Sequence, residues 1–182
     1  MKKNMIIIVP IVAIVLLLIG GTYAWFTWSG SQNSNIVLTI GDFAGYVKSS
    51  TNISVTNLAP VLDYKSTTAY SDIVISGTVD TNTYSGAKTT IALNITSNTF
   101  SSSYSDFKYA VYNKTSGTLV SNGVLNGKTG SITLYTTTST SSSLNINYTV
   151  YIYIDGTNSN STDYMGKKLA GTLSVTSVGI SK

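Results

Sequence analysis

The chain has no cysteine, no histidine, no glutamate and no arginine. Each absence removes a class of chemistry. Without cysteine there are no disulfides, no thiol nucleophile and no thiolate metal site. A secreted domain of this length does not need disulfides, so their absence does not argue against export. Without histidine the commonest general base and zinc ligand are missing. Lacking glutamate as well, the chain cannot form the H-E-x-x-H helix of a metalloprotease. Without arginine there are no guanidinium forks for bases or phosphates. Beyond the first residues no lysine cluster exceeds Lys167-Lys168, so no nucleic-acid partner is expected.

Charge is scarce too, at 10% of the chain. The formal net charge is +4, but Lys2 and Lys3 sit in an apolar leader, and the remainder carries nine lysines against seven aspartates. What the chain does have is 42% hydrophobic residues in 182, thirteen tyrosines, and serine plus threonine above a quarter of all positions. Apolar content at that level supports one cored domain plus a leader. Thr, Ser, Tyr, Val and Ile suit a pleated, half-exposed sheet.

Residues 1–24 read as a secretory signal peptide. Lys2 and Lys3 precede an apolar run from Met5 to Ile19, then Gly20-Gly21 and Thr22-Tyr23-Ala24. A basic start, an apolar middle and small residues at the end are what the export machinery and its peptidase read. Cleavage is expected between Ala24 and Trp25. The competing reading is an uncleaved anchor, because uncharged residues continue to Trp28 and the two tryptophans suit a membrane interface. Either way the body lies outside the cytoplasm, touching the membrane only through the leader.

From Ile36 onward the apolar period is two. Ile36, Leu38 and Ile40 alternate with polar or smaller neighbours, as do Ile53 and Val55, Ile73 and Ile75, Ile91 to Ile95, Phe107 to Val111, Ile132 and Leu134, and Leu173 and Val175. The longest run sets Leu144, Ile146, Tyr148, Val150, Ile152 and Ile154 on one face and Asn145 through Asp155 on the other. Strict alternation predicts strands with one buried face. Turns are predicted at Gly41-Asp42, Ser85-Gly86, Ser116-Gly117, Asn126-Gly127 and Asp155-Gly156. Eight or nine short strands so spaced predict an all-β, antiparallel, jelly-roll-like β-sandwich over residues 36–182. Ala59 to Lys65 is expected as a loop or strand edge, since Pro60 cannot donate to a ladder. Ser101-Ser102-Ser103 and Thr136 to Ser143 are expected as exposed loops or sheet edges.

At the leader junction, Gly20-Gly21-Thr22-Tyr23-Ala24-Trp25-Phe26 resembles the TasA/camelysin-type proteins, whose leaders are cut by a SipW-type signal peptidase. Looser likenesses follow at Thr39-Ile40-Gly41-Asp42-Phe43 and Val55-Thr56-Asn57-Leu58-Ala59-Pro60, and at Tyr151 to Gly156 and Tyr164 to Leu169. The resemblance implies a jelly-roll subunit that is exported and assembles into extracellular fibres of a biofilm matrix. In such fibres the N-terminal segment of one subunit completes the sheet of its neighbour. The chain departs from the family in being short and in lacking its charged insertions. The metalloprotease label given to camelysin-like members has no residues here to carry it.

Residues 25–35 are therefore a candidate donor segment, with Trp25, Phe26 and Trp28 as inserted aromatics and Ser29 to Asn35 as a spacer. The alternative is that these aromatics pack on their own domain. Tyr151 and Tyr153 face away from the expected core and form a candidate contact patch; the plainer reading is β propensity on a solvated face. Asp155, Asn158, Asn160 and Asp163 offer oxygens for calcium, but with two carboxylates and no EF-hand spacing, so a solvated turn competes. No catalytic set is visible: the seven aspartates are scattered, and no nucleophile elbow, S-x-x-K motif or phosphate loop is present. The expected function is a secreted, self-assembling structural subunit that needs no cofactor. The alternative is a monomeric surface adhesin for glycan or protein.

Overall fold

The computed structural model describes residues 35–43, 45–157 and 164–182, with only the backbone described for 38–43. The leader, the cleavage position at Ala24 and Trp25, the candidate donor residues Trp25, Phe26 and Trp28, and Asn158, Asn160 and Asp163 lie outside these residues.

The two-residue rhythm becomes strands throughout. They are β1 (Ile36–Phe43), β2 (Tyr46–Thr56), β3 (Pro60–Val61), β4 (Tyr70–Val79), β5 (Tyr84–Asn98), β6 (Phe107–Asn113), β7 (Thr118–Val124), β8 (Gly130–Ser139), β9 (Ser143–Asp155) and β10 (Lys168–Ser181). A 3-10 turn runs over Tyr64–Ser66. The strands form two sheets. One has the order β1-β4-β9-β6-β7, with β3 beside the end of β9; the other has the order β2-β10-β5-β8. The fold is an all-β sandwich, as the alternation predicts. Successive strands mostly change sheet, so neighbours in a sheet are far apart in sequence; among the described strands, β6 and β7 form the one sequential hairpin pair within a sheet.

The core lies between the sheets. Leu144, Ile146, Tyr148, Val150, Ile152 and Ile154 of β9 are all buried. They meet Ile91, Leu93 and Ile95 of β5 and Leu169, Leu173 and Val175 of β10 in one apolar cluster. Each such side chain gains about 2 kcal/mol on leaving water, which is why every second residue is held to this face. Two hydroxyls inside the layer, on Thr89 and Ser177, satisfy each other at 2.6 Å.

Three expectations are corrected. Gly41-Asp42 is not a turn: β1 runs through it with a register break between Thr39 and Asp42. The reversal comes at Gly45, whose φ of +89° disfavours an L side chain and where a Cβ would collide with the Tyr84 hydroxyl. Ser85-Gly86 is likewise inside β5, not a turn. Gly86 is needed there because a Cβ would strike the Ser139 carbonyl, a close approach of two backbones. Pairing is not wholly antiparallel: β1 lies parallel to β4 and β3 parallel to β9. In the first case β1 is followed by a crossing to the other sheet instead of a hairpin. Strand β7, an edge strand with Leu119 and Val124 partly exposed, was not legible as a period.

Candidate functional site

The outer face of the β9 sheet is not bare. Tyr70 of β4 stands opposite Tyr151, and Lys108 of β6 stands opposite Tyr153. The chain between β3 and β4 folds over this face. Its 3-10 turn is capped by Asp63, whose carboxylate accepts from the Lys65 amide at 3.0 Å. Thr67 pins the segment's exit: its hydroxyl donates to the Ile152 carbonyl at 2.8 Å and accepts from the Ala69 amide at 3.3 Å. The Tyr64 ring thereby sits 5.4 Å from Tyr151, edge to face, and 6.1 Å from Tyr153. Tyr70 closes the group at 6.1 Å from Tyr151. The Lys65 ammonium lies 4.2 Å over the ring of Tyr112.

This corrects the expected exposure of the tyrosine pair. Tyr151 and Tyr153 do face away from the main core, but they are half-buried. Beside them Ala110 and Thr149, also on the outer face, are fully or nearly fully covered. Burial pushes the Tyr151 and Tyr153 phenols up from their ordinary value. The sequence placed Tyr151 and Tyr153 correctly and missed Tyr64, Tyr70 and Lys65, because a 3-10 turn has no period to read. Replacing Tyr64 with alanine is expected to cost about 2 kcal/mol, since it strips the cover from both tyrosines. A urea midpoint unchanged from the parent protein would refute that role.

Two ion pairs rim the cluster. Lys108 reaches Asp155 at 2.7 Å and Lys114 reaches Asp72 at 3.2 Å. Asp72 also accepts from the Thr149 hydroxyl. The Asp155 carboxylate takes further hydrogen bonds from the Thr157 amide at 3.1 Å and hydroxyl at 2.7 Å. The Lys108 ammonium and these donors hold its carboxyl down to about 2, and the same contact raises Lys108. This also bears on the calcium candidates: Asp155, the one described member of the four, already faces an ammonium. Among the described residues no group of three metal-ligating side chains converges.

A depressed carboxyl stabilises the fold above its unfolded value and loses that effect as pH falls through the folded value. Stability is therefore expected to drop between about pH 4 and pH 2, with Asp155 contributing about 1 kcal/mol after allowance for solvent screening. Lys108→Met should flatten that part of the curve. Parallel acid titrations of both proteins would dismiss the pair as a contributor.

The sheet edges are the other unusual surface. Strands β1 and β7 bound one sheet, β2 and β8 the other. Across all four the charged residues are Asp42 and Lys48 alone. Edge strands usually carry charge to discourage pairing with another chain. No described helix is long and apolar enough to cross a membrane.

No protein-family model matches this chain, and no curated protein matches it. Among solved structures, it is similar to the crystal structure of PliG from Aeromonas hydrophila, a periplasmic lysozyme inhibitor of g-type lysozyme. The likeness covers 80% of this chain and 99% of that one at 11% identity, with a TM-score of 0.33. At that overlap it carries no argument about what this chain binds.

Proposed function

We propose that this chain is an exported structural subunit of an extracellular fibre or biofilm matrix, of TasA/camelysin-like type, assembling by strand addition. The observation that carries the reading is the near absence of charge on four sheet edges. An edge strand is a row of unpaired amides and carbonyls, and without charge little opposes a strand from another copy. The leader and its junction at Gly20 to Phe26 supply export, with a peptidase cutting between Ala24 and Trp25. Residues 25–35 then supply the donor segment, with Trp25, Phe26 and Trp28 buried in the neighbour. Nothing in this role calls for a cofactor or a catalytic residue.

The test is electron microscopy of the exported protein, expressed with its leader, together with N-terminal sequencing. Filaments, a terminus at Trp25, and loss of filaments on deleting residues 25–35 are expected. Monomers alone, across concentration, pH and salt, would remove the reading.

A second reading, a monomeric surface adhesin, draws on the tyrosine cluster and on Leu62 beside it, which is 87% exposed. Aromatic faces next to ion-paired side chains suit a neutral, ring-shaped ligand such as a glycan. A reproducible glycan-array hit lost in the Tyr151→Ala, Tyr153→Ala double variant would favour it.

A further inference from the structure

We infer that β2 is a self-recognition edge, pairing antiparallel with β2 of a second copy across a two-fold axis. The inference deepens the assembly reading by naming one of its contacts.

The argument starts from hydrogen-bond parity. The Gly179 amide donates to the Gly45 carbonyl at 2.8 Å, one step beyond the ladder pair Val178 and Tyr46. Bonded pairs alternate along an antiparallel ladder. The odd-numbered residues of β2 therefore bond to β10. From the other side, the Thr99 amide donates to the Lys168 carbonyl at 2.9 Å, so the even-numbered residues of β10 bond towards β5. The two observations agree. The amides and carbonyls of Tyr46, Lys48, Ser50, Asn52, Ser54 and Thr56 point away from the sheet, where no described strand meets them.

The other three edges carry irregularities. Register breaks occur between Thr39 and Asp42 on β1, between Val111 and Tyr112 where β7 pairs, and between Ile91 and Ala92 where β8 pairs. The Ser121 hydroxyl of β7 also donates to the Leu134 carbonyl of β8 at 2.6 Å, which ties those two edges together. Bulges and ties of this kind blunt an edge. The β2–β10 ladder runs through eleven pairs with no break.

Charge and side-chain faces select the occupant. Antiparallel self-pairing with Tyr46 opposite Thr56 engages the whole strand and sets Ser50 opposite Asn52, with Thr51 on the axis. Lys48 then faces Ser54, and the two lysines stand about 20 Å apart. Parallel in-register pairing would instead stack Lys48 on Lys48. On the inner face Val47 meets Val55 of the second copy. There a small apolar depression, lined by Ile53, Val55, Ala69, Val150 and Ile152 among others, lies between β2 and the opposite sheet. A two-fold contact closes a dimer by itself, so filament growth needs the N-terminal segment as well.

The chain has no cysteine, so one introduced thiol reports one contact. In the exported protein, Thr51→Cys is expected to oxidise to a covalent dimer, because across the axis its Cα atoms lie about 4.5 Å apart, within disulfide reach. Ser49→Cys should form at least tenfold less, its mates being about 14 Å apart. Ser50→Pro removes only an outward amide and should abolish the Thr51→Cys crosslink. Ser54→Lys, which places like charges opposite, should weaken it, and adding Lys48→Asp should restore it. Equal crosslinking at positions 49 and 51, or no rescue by the charge reversal, would overturn the inference. Filaments without a Thr51→Cys crosslink would reject the β2 contact and leave the fibre reading standing. Crosslinked dimers that never form filaments would do the reverse.

Discussion

Replacing Phe107 with alanine is expected to remove about 4 kcal/mol of stability and lower the melting temperature by about 10 °C. Phe107 opens β6 and has no exposed surface. Its ring stacks on Phe100 with centroids 3.7 Å apart and planes 11° from parallel, and Tyr164 lies 6.0 Å beyond Phe100. This aromatic stack fills one end of the space between the sheets. Strands held by their own ladders cannot close around a ring-sized void, so the transfer cost and the cavity cost add. The Phe107→Leu variant, which keeps most of the volume, should lose less than half as much. Urea titration followed by far-UV circular dichroism measures both. A loss below about 1.5 kcal/mol for the alanine variant would mean that this end of the sandwich relaxes freely.

The second large effect is expected at Asn126, where leucine should cost about 3 kcal/mol. Asn126 is nearly buried in the turn after β7. Its carbonyl oxygen accepts from the Phe107 amide at 2.8 Å and its amide donates to the Ser101 carbonyl at 2.9 Å. Leucine matches the volume but leaves the buried Phe107 amide unpaired, at about 1–3 kcal/mol, and also gives up the part-buried bond to the Ser101 carbonyl. Asn126→Asp keeps the acceptor for Phe107 and loses the donor, so it should fall between parent and leucine variant. Asn126→Leu melting with the parent would show that water replaces both bonds. The two sites share the Phe107 backbone, so combining Phe107→Ala with Asn126→Leu should cost less than the sum.

Asn126-Gly127 also shows how much a motif can state. The dipeptide was legible as a turn, and Gly127 does adopt a positive φ of +63°. That the asparagine would bridge to Phe107 and to Ser101 was not, because both partners arrive from elsewhere in the chain. The same split runs through the candidate surfaces. Tyr151 and Tyr153 were placed on the outward face by parity alone. Their cover by Tyr64 depends on where the Thr67 hydroxyl finds a carbonyl on β9. Low charge on the strands could be read from composition, but which strands form edges could not.

What the sequence determined by itself is therefore local and periodic: that the chain after Ile36 alternates, that its even positions from Leu144 to Ile154 go inward, and that no thiol, imidazole or guanidinium chemistry is available. Only the tertiary structure decided which strands lie at the borders, that β1 runs parallel to β4, and that Gly41-Asp42 and Ser85-Gly86 stay inside strands. The reason is that a two-residue period expresses burial, which each residue feels through its own side chain. Strand order, register and the direction of an open amide are set by partners distant in sequence, and their energies exist only once those partners have met.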